Sequence, residues 1–202
     1  MKRRGNKVNN GFDQEQPVAL KEWAVAVKAL TEGKQIIVLR KGGIAEETRD
    51  FQLKAPRFYL MPAYEHQRPE LLKEPYQDDV RQLMAAWQPN AATVEINAVA
   101  EAVDDIEIFD QDTLRLLDEF HIWTDTFADE RLKWKKTKPL HLLLLRVSKL
   151  ERPVLLPMQD HFNGCKSWVD LGSSFEGVKA QPVLSDAEFG ALVEQIRSKI
   201  GR

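Results

Sequence analysis

A chain of 202 residues, 43% hydrophobic and 30% charged, has the make-up of a soluble globular protein long enough to bury a core. Its formal charge of −2 excludes a purely electrostatic polyanion binder, so any contact with nucleic acid must be local. The lone Cys165 rules out an internal disulfide and fits a reducing cytoplasm, and no run approaches the ~20 apolar residues that span a bilayer.

Residues 1–16, MKRRGNKVNNGFDQEQ, start basic with no apolar stretch behind, which speaks against a secretory signal. They read as a flexible basic tail, either a solubilising terminus or an arm whose Lys2, Arg3, Arg4 and Lys7 touch a polyanion. Residues 17–202 read as a single α+β domain. Leu20, Trp23, Val27 and Leu30 recur at helical spacing and predict a helix from Val18 to Glu32, stopped by Gly33. The β-branched run Lys34 to Arg40 predicts a strand, turned by Lys41-Gly42-Gly43. Short strands are expected at Phe51 to Leu53 and Arg57 to Met61. A helical pattern runs from Pro69 to Trp87, with Pro75 separating a leading turn and Val80, Leu83, Met84 and Trp87 on one face.

Alternation of Val94, Ile96, Ala98, Ala100 and Ala102 with their neighbours predicts a strand over Thr93 to Ile108. Thr113 to His121 reads as a short amphipathic helix. Leu140 to Leu150, bracketed by Pro139 and Pro153, suits a buried central strand, and Ser167 to Leu171 a short one. Ser185 and Glu188 have capping-box spacing for a last helix that buries Phe189, Leu192, Val193, Ile196 and Ile200. Strands and helices mix without βαβ alternation, which indicates α+β.

Charge gathers in one place. In HIWTDTFADERLKWKKTK, His121 to Lys138, the last eight residues hold five cations around Trp134, with Trp123 upstream. Cations beside flat rings suit the backbone and bases of a nucleic acid. As a strand, RLKWKKTK puts Arg131, Lys133 and Lys135 on one face; as a helix, Arg131, Trp134, Lys135 and Lys138 share one. A solvated edge strand protected by lysines is the plainer alternative.

Several segments carry a family likeness: LKEWAVAVKAL near the front, LRKGGI at Leu39 to Ile44, AYEHQ at Ala63 to Gln67, HIWT at His121 to Thr124 followed by RLKW and PLHLLLLRV, and GCKSWVDL at Gly164 to Leu171. Together they resemble, over residues 17 to 172, the bacterial family catalogued as domain of unknown function 1802. That resemblance brings no reaction. Similar domains are sometimes joined to restriction-endonuclease-like domains, which implies a role near DNA restriction or defence. A second likeness concerns fold. Gly33 and Arg40 hold the spacing of the Gly-x-Lys-Thr-Val-Glu-x-Arg pattern of ASCH and PUA-like RNA-binding barrels, although Gln35 replaces the lysine and Val38 the acid.

Tyr64-Glu65-His66-Gln67, between Pro62 and Pro69, is the most reaction-like tetrad. Glu65 and His66 suit general acid–base work if a loop makes them converge; the same side chains equally well anchor a turn. Arg40-Lys41-Gly42-Gly43 is either a plain turn or a phosphate cradle without Walker spacing. The four histidines lack zinc-site spacing, so no metal or other cofactor is expected. Lys166 is the only neighbour that would activate Cys165, and the thiol reads more simply as a packed group. Asp50 with Gln52-x-Lys54 falls short of a two-metal nuclease signature.

The sequence therefore predicts an α+β protein, its mixed or mostly antiparallel sheet curled toward a small PUA-like barrel and flanked by helices. Arg40, Lys41, Tyr64, His66, Trp123, Arg131, Lys133, Lys135 and Lys136 are its candidate contacts to DNA or RNA, with a restriction-type nuclease as a further partner and no membrane role. The rivals are an enzyme acting on an anionic or nucleotide substrate through Glu65 and His66, and a protein-interaction subunit.

Overall fold

The computed structural model describes residues 17–41, 51–133, 138–164, 166–172, 175 and 177–202. The basic tail, Gly42, Gly43, Asp50, Trp134, Lys135, Lys136 and Cys165 lie outside them.

Seven strands form one mixed sheet: β1 (Val18–Trp23), β2 (Ile37–Arg40), β3 (Arg57–Ala63), β4 (Thr93–Ile108), β5 (Leu140–Pro157), β6 (Trp168–Asp170) and β7 (Ala180–Pro182). Their order is β2-β5-β4-β3-β1-β6, with β7 pairing β5 beside the main path. The β1–β3 pair is parallel and the other ladders are antiparallel. Helices α1 (Ala24–Thr31), α2 (Glu74–Ala86), α3 (Gln111–Leu116), α4 (Asp125–Lys133) and α5 (Asp186–Lys199) flank it. One core carries Leu20, Leu30, Ile37, Leu60 and Leu143, and a smaller one gathers Met61, Ile96, Val99 and Phe162.

The sheet curls without closing. No ladder joins the end strands β2 and β6 among the described residues. Side chains span the gap instead. Arg40, on the last residue of β2, donates to Glu22 Oε2 on β1 at 3.0 Å and to Ser167 Oγ, just before β6, at 2.6 Å.

The first expected helix divides in two. Val18–Trp23 is a strand because its backbone is claimed on both sides, by β3 from Ala19↔Tyr59 to Trp23↔Ala63 and by β6 at Val18↔Asp170. Two ladders outweigh a helical period that the same residues also fit. Helix α1 then starts without a capping side chain of its own; Gln67 Oε1 accepts from Val25 N at 3.1 Å instead. It ends as expected at Gly33, whose φ of 69° completes a Schellman motif with Lys34 N→Ala29 O at 2.9 Å and Gly33 N→Leu30 O at 3.2 Å.

Thr93–Ile108 is one continuous strand, but register shifts between Ile96 and Ala98 and between Ala102 and Asp104 break its simple alternation. Ile106 and Ile108 nevertheless keep the parity of Ala98 and Ala100 and lie with them in the larger core. Strand β5 runs on past Leu150 to Pro157 because β4 offers it partners along that length. Phe51 to Leu53 is not a strand: Phe51 is buried against Trp168, whose indole N–H donates to Gln52 O at 2.8 Å. The expected helix over Thr113 to His121 is α3 followed by a 3-10 turn, Asp118–Phe120. The 69–87 pattern is likewise a 3-10 turn, Pro69–Leu71, and then α2. The stripe on α2 is narrower than its period suggests, since Val80 is buried whereas Met84 is exposed. On α5 the Ser185–Glu188 capping box is present, and Ile196 is the fully buried member of the stripe.

Candidate functional site

Residues 64–67 form a wall between two clefts. Gln67, in the middle of this arrangement, is buried and ties the loop to the start of α1. Tyr64 and Glu65 line one cleft, His66 the other. The acid and the imidazole thus border different clefts, whereas general acid–base work with both requires them to meet at one substrate.

The first cleft, of about 300 Å³, is lined by Trp23, His66, Arg68, Phe127, Glu130 and Arg131. Three elements build it: the end of β1, the 64–68 loop, and α4. Phe127 packs 5.3 Å from the Trp23 ring and 5.2 Å from Trp123, and the Arg131 guanidinium lies 5.1 Å over its face. His66 has a φ of 62°, the left-handed region that few residues other than glycine enter, His, Asn and Asp being the more frequent among them. Such strain survives only where the surroundings hold it, here the anchored Gln67 next door.

Behind this cleft sits the Arg40–Glu22 pair, with side-chain exposures of 12% and 6%. Burial lowers the Arg131 pKa, and the nearby Arg40 charge lowers it further, while Glu22 opposes both. Glu22 is thus paired with Arg40, and Arg131 lies near both charges without an ion pair to either. Arg68 adds another cation at the rim, balanced by Glu70 at 3.7 Å and Glu130 at 3.5 Å.

Other expected contacts go elsewhere. Lys41 is 2% exposed, and its ammonium donates to Leu132 O at 2.5 Å, capping the last turn of α4. Burial pushes its pKa down. Trp123 is 1% exposed, so it is a core residue supporting Phe127 and not an open platform for a base. Tyr64 belongs to the opposite cleft. Lys133 is exposed at the end of α4 and lies 3.7 Å from Asp129. Lys135 and Lys136 fall outside the described residues. The structure thus brings Arg40, His66 and Arg131 into one neighbourhood and separates the rest.

Sequence reasoning missed Glu22, Trp23, Arg68 and Phe127. Trp23 carried a signal only for burial, because it fitted a helical stripe. The charge of Glu22 is spoken for by a residue 18 positions away, which no local spacing marks.

The second cleft, of about 360 Å³, lies between the loop, the end of α2 and the start of β4. Tyr64 and Trp87 present near-parallel rings there, centroids 5.7 Å apart and planes within 5°. Glu65 and Glu95 line it as well. Among the described residues no group of His, Cys, Asp and Glu side chains is placed to hold a metal ion. No helix among them is long and apolar enough to cross a membrane.

Comparison with known proteins gives the following. One family model, described as Domain of unknown function (DUF1802), matches residues 19–195. Among solved structures, the chain is similar to an ASCH protein from Zymomonas mobilis at 14% identity and TM-score 0.44, over 89% of this chain and 94% of that one. A point variant of that protein gives 11% identity and TM-score 0.45, over 89% and 95% of the two chains. At these values no ligand or residue role carries across. Curated proteins give no significant match.

Proposed function

The chain belongs to the DUF1802 family, a domain of unknown function, and since membership brings no reaction we propose, from the geometry, that the protein is a nucleic-acid-recognition module. Its ligand is a single-stranded or unstacked segment of RNA or DNA lying in the cleft of Trp23, His66 and Arg131. Arg131 and Arg68 meet phosphate oxygens, His66 donates to phosphate or base, and Trp23 offers a partly exposed ring for stacking. In that role it would serve a restriction-type nuclease, which supplies cleavage while this chain supplies recognition.

One observation carries the reading: Arg131, over the Phe127 ring and near enough to Arg40 to feel its charge, lines one cleft with Arg68, His66 and Trp23. Like charges brought together in a part-buried site repel, and an incoming anion relieves that repulsion. A phosphodiester supplies the anion, and its base supplies a partner for the ring.

Fluorescence anisotropy with labelled single-stranded RNA and DNA oligonucleotides across a salt series tests this. Binding should weaken with salt, each phosphate contact adding about 0.7 to the log–log slope. Arg131→Gln should lower affinity about tenfold and flatten the slope by about one such contact. No binding at low salt, or a slope near zero, overturns the assignment. The two oligonucleotide arms tell RNA from DNA.

A further inference from the structure

The second cleft has the opposite character and does not depend on the nucleic-acid reading. Its volume of about 360 Å³ is within the small-molecule range. Two carboxylates, Glu65 and Glu95, line it together with the Tyr64–Trp87 ring pair and the thioether of Met158. One cation is present: Lys21, on β1, whose ammonium donates to Phe162 O at 2.7 Å and Gly164 O at 2.9 Å. That charge is committed to main-chain carbonyls, and the carboxylates outnumber it. Burial raises the Tyr64 pKa, and the Glu95 charge raises it further, in keeping with a negative local field.

A phosphate group would be repelled here. An inorganic cation would forfeit its water for rings and methyl groups that coordinate it poorly. A weakly hydrated organic cation loses less on leaving water and gains from the negative faces of Tyr64 and Trp87 as well as from the carboxylates. We propose that the cleft between the 64–65 loop, Trp87 and Glu95 binds a small organic ammonium ion, its alkyl groups against the rings and its charge balanced by Glu65 and Glu95.

The test uses the full chain and choline as probe, compared with its neutral tert-butyl isostere, by isothermal titration calorimetry and by NMR of the indole N–H signals. Choline should bind saturably and shift the Trp87 signal, and the neutral isostere should bind at least about tenfold more weakly. Trp87→Leu should weaken choline binding about five- to thirtyfold. Glu95 is exposed, so Glu95→Gln can be made without disturbing the fold and should also weaken it. Arg131→Gln, in the other cleft, should leave choline binding unchanged while nucleic-acid binding falls. Absence of saturable choline binding, equal binding of the isostere, or indifference to both cleft variants overturns the proposal. Failure of the oligonucleotide experiment alone leaves it standing.

Discussion

The two clefts share the 64–67 loop as a common wall, yet their charges arise in different ways. On the Trp23 side the cations come from β2, α4 and the loop, and the central pair, Arg40 with Glu22, is almost sealed from solvent. On the Trp87 side, Glu65 and Glu95 are both exposed. Buried charge depends on its partner for the stability of the fold, whereas rim charge mainly sets which ligand approaches. The cationic cleft should therefore be coupled to stability and the anionic one should not.

The largest expected effect comes from Arg40→Met. It strands the Glu22 carboxylate in the closure between β1, β2 and the segment before β6, at a cost of about 3–5 kcal/mol in chemical denaturation. Adding Glu22→Gln should recover part of that loss by removing the uncompensated charge. A loss below about 1 kcal/mol would mean that the sheet edges do not rely on this bridge. Glu95→Gln on the anionic side should stay within about 0.5 kcal/mol of the parent.

Acid offers a second way to separate the clefts. His121 is 5% exposed. Burial, aided by the Lys73 charge, lowers its pKa to about 4. The unfolded chain takes up a proton at a pKa of roughly 6.5, the folded chain only near 4. The stability associated with neutral His121 is thus fully present above roughly pH 6.5 and is lost as pH falls toward 4, by about 3 kcal/mol in all. His121 lies against Trp123, which backs Phe127 in the cationic cleft. Denaturation midpoints measured across this window should fall with pH, and His121→Phe should flatten the trend. An unchanged slope in that variant would place the acid-sensitive group elsewhere.

A smaller effect than that of Arg40→Met tests the shared wall. Gln67→Ala leaves Val25 N without its acceptor, which should cost about 1–3 kcal/mol by thermal or chemical unfolding. Because the loop lines both clefts, oligonucleotide and choline binding should weaken together. Loss of one without the other would show that each cleft is held by its far wall alone.

Several elements were legible locally. The Schellman end at Gly33, the Ser185–Glu188 box and the long run of Thr93–Ile108 depend on residues within a few positions of one another or on a sustained period. The likeness to DUF1802 was carried by short motifs in order along the chain. The cationic site was only half legible. RLKWKKTK marked Arg131, and LRKGGI marked Arg40, but Lys41, next to Arg40, is buried as a helix cap, and Trp123 is sealed inside. Composition cannot tell a cation that meets solvent from one that meets a carbonyl.

From its sequence alone, this protein has two determined helix ends, at Gly33 and Ser185, a strand over Thr93–Ile108, an α+β class and a family. Tertiary structure alone decided that Val18–Trp23 is a strand, that Glu65 and His66 face different clefts, and that Arg40 meets Glu22 and Ser167. Caps and periods arise from hydrogen bonds and burial repeated over a few residues, which the order of side chains records. Sheet ladders, burial and ion pairs join residues far apart in the chain, and their energies are settled only when those residues compete for the same neighbours.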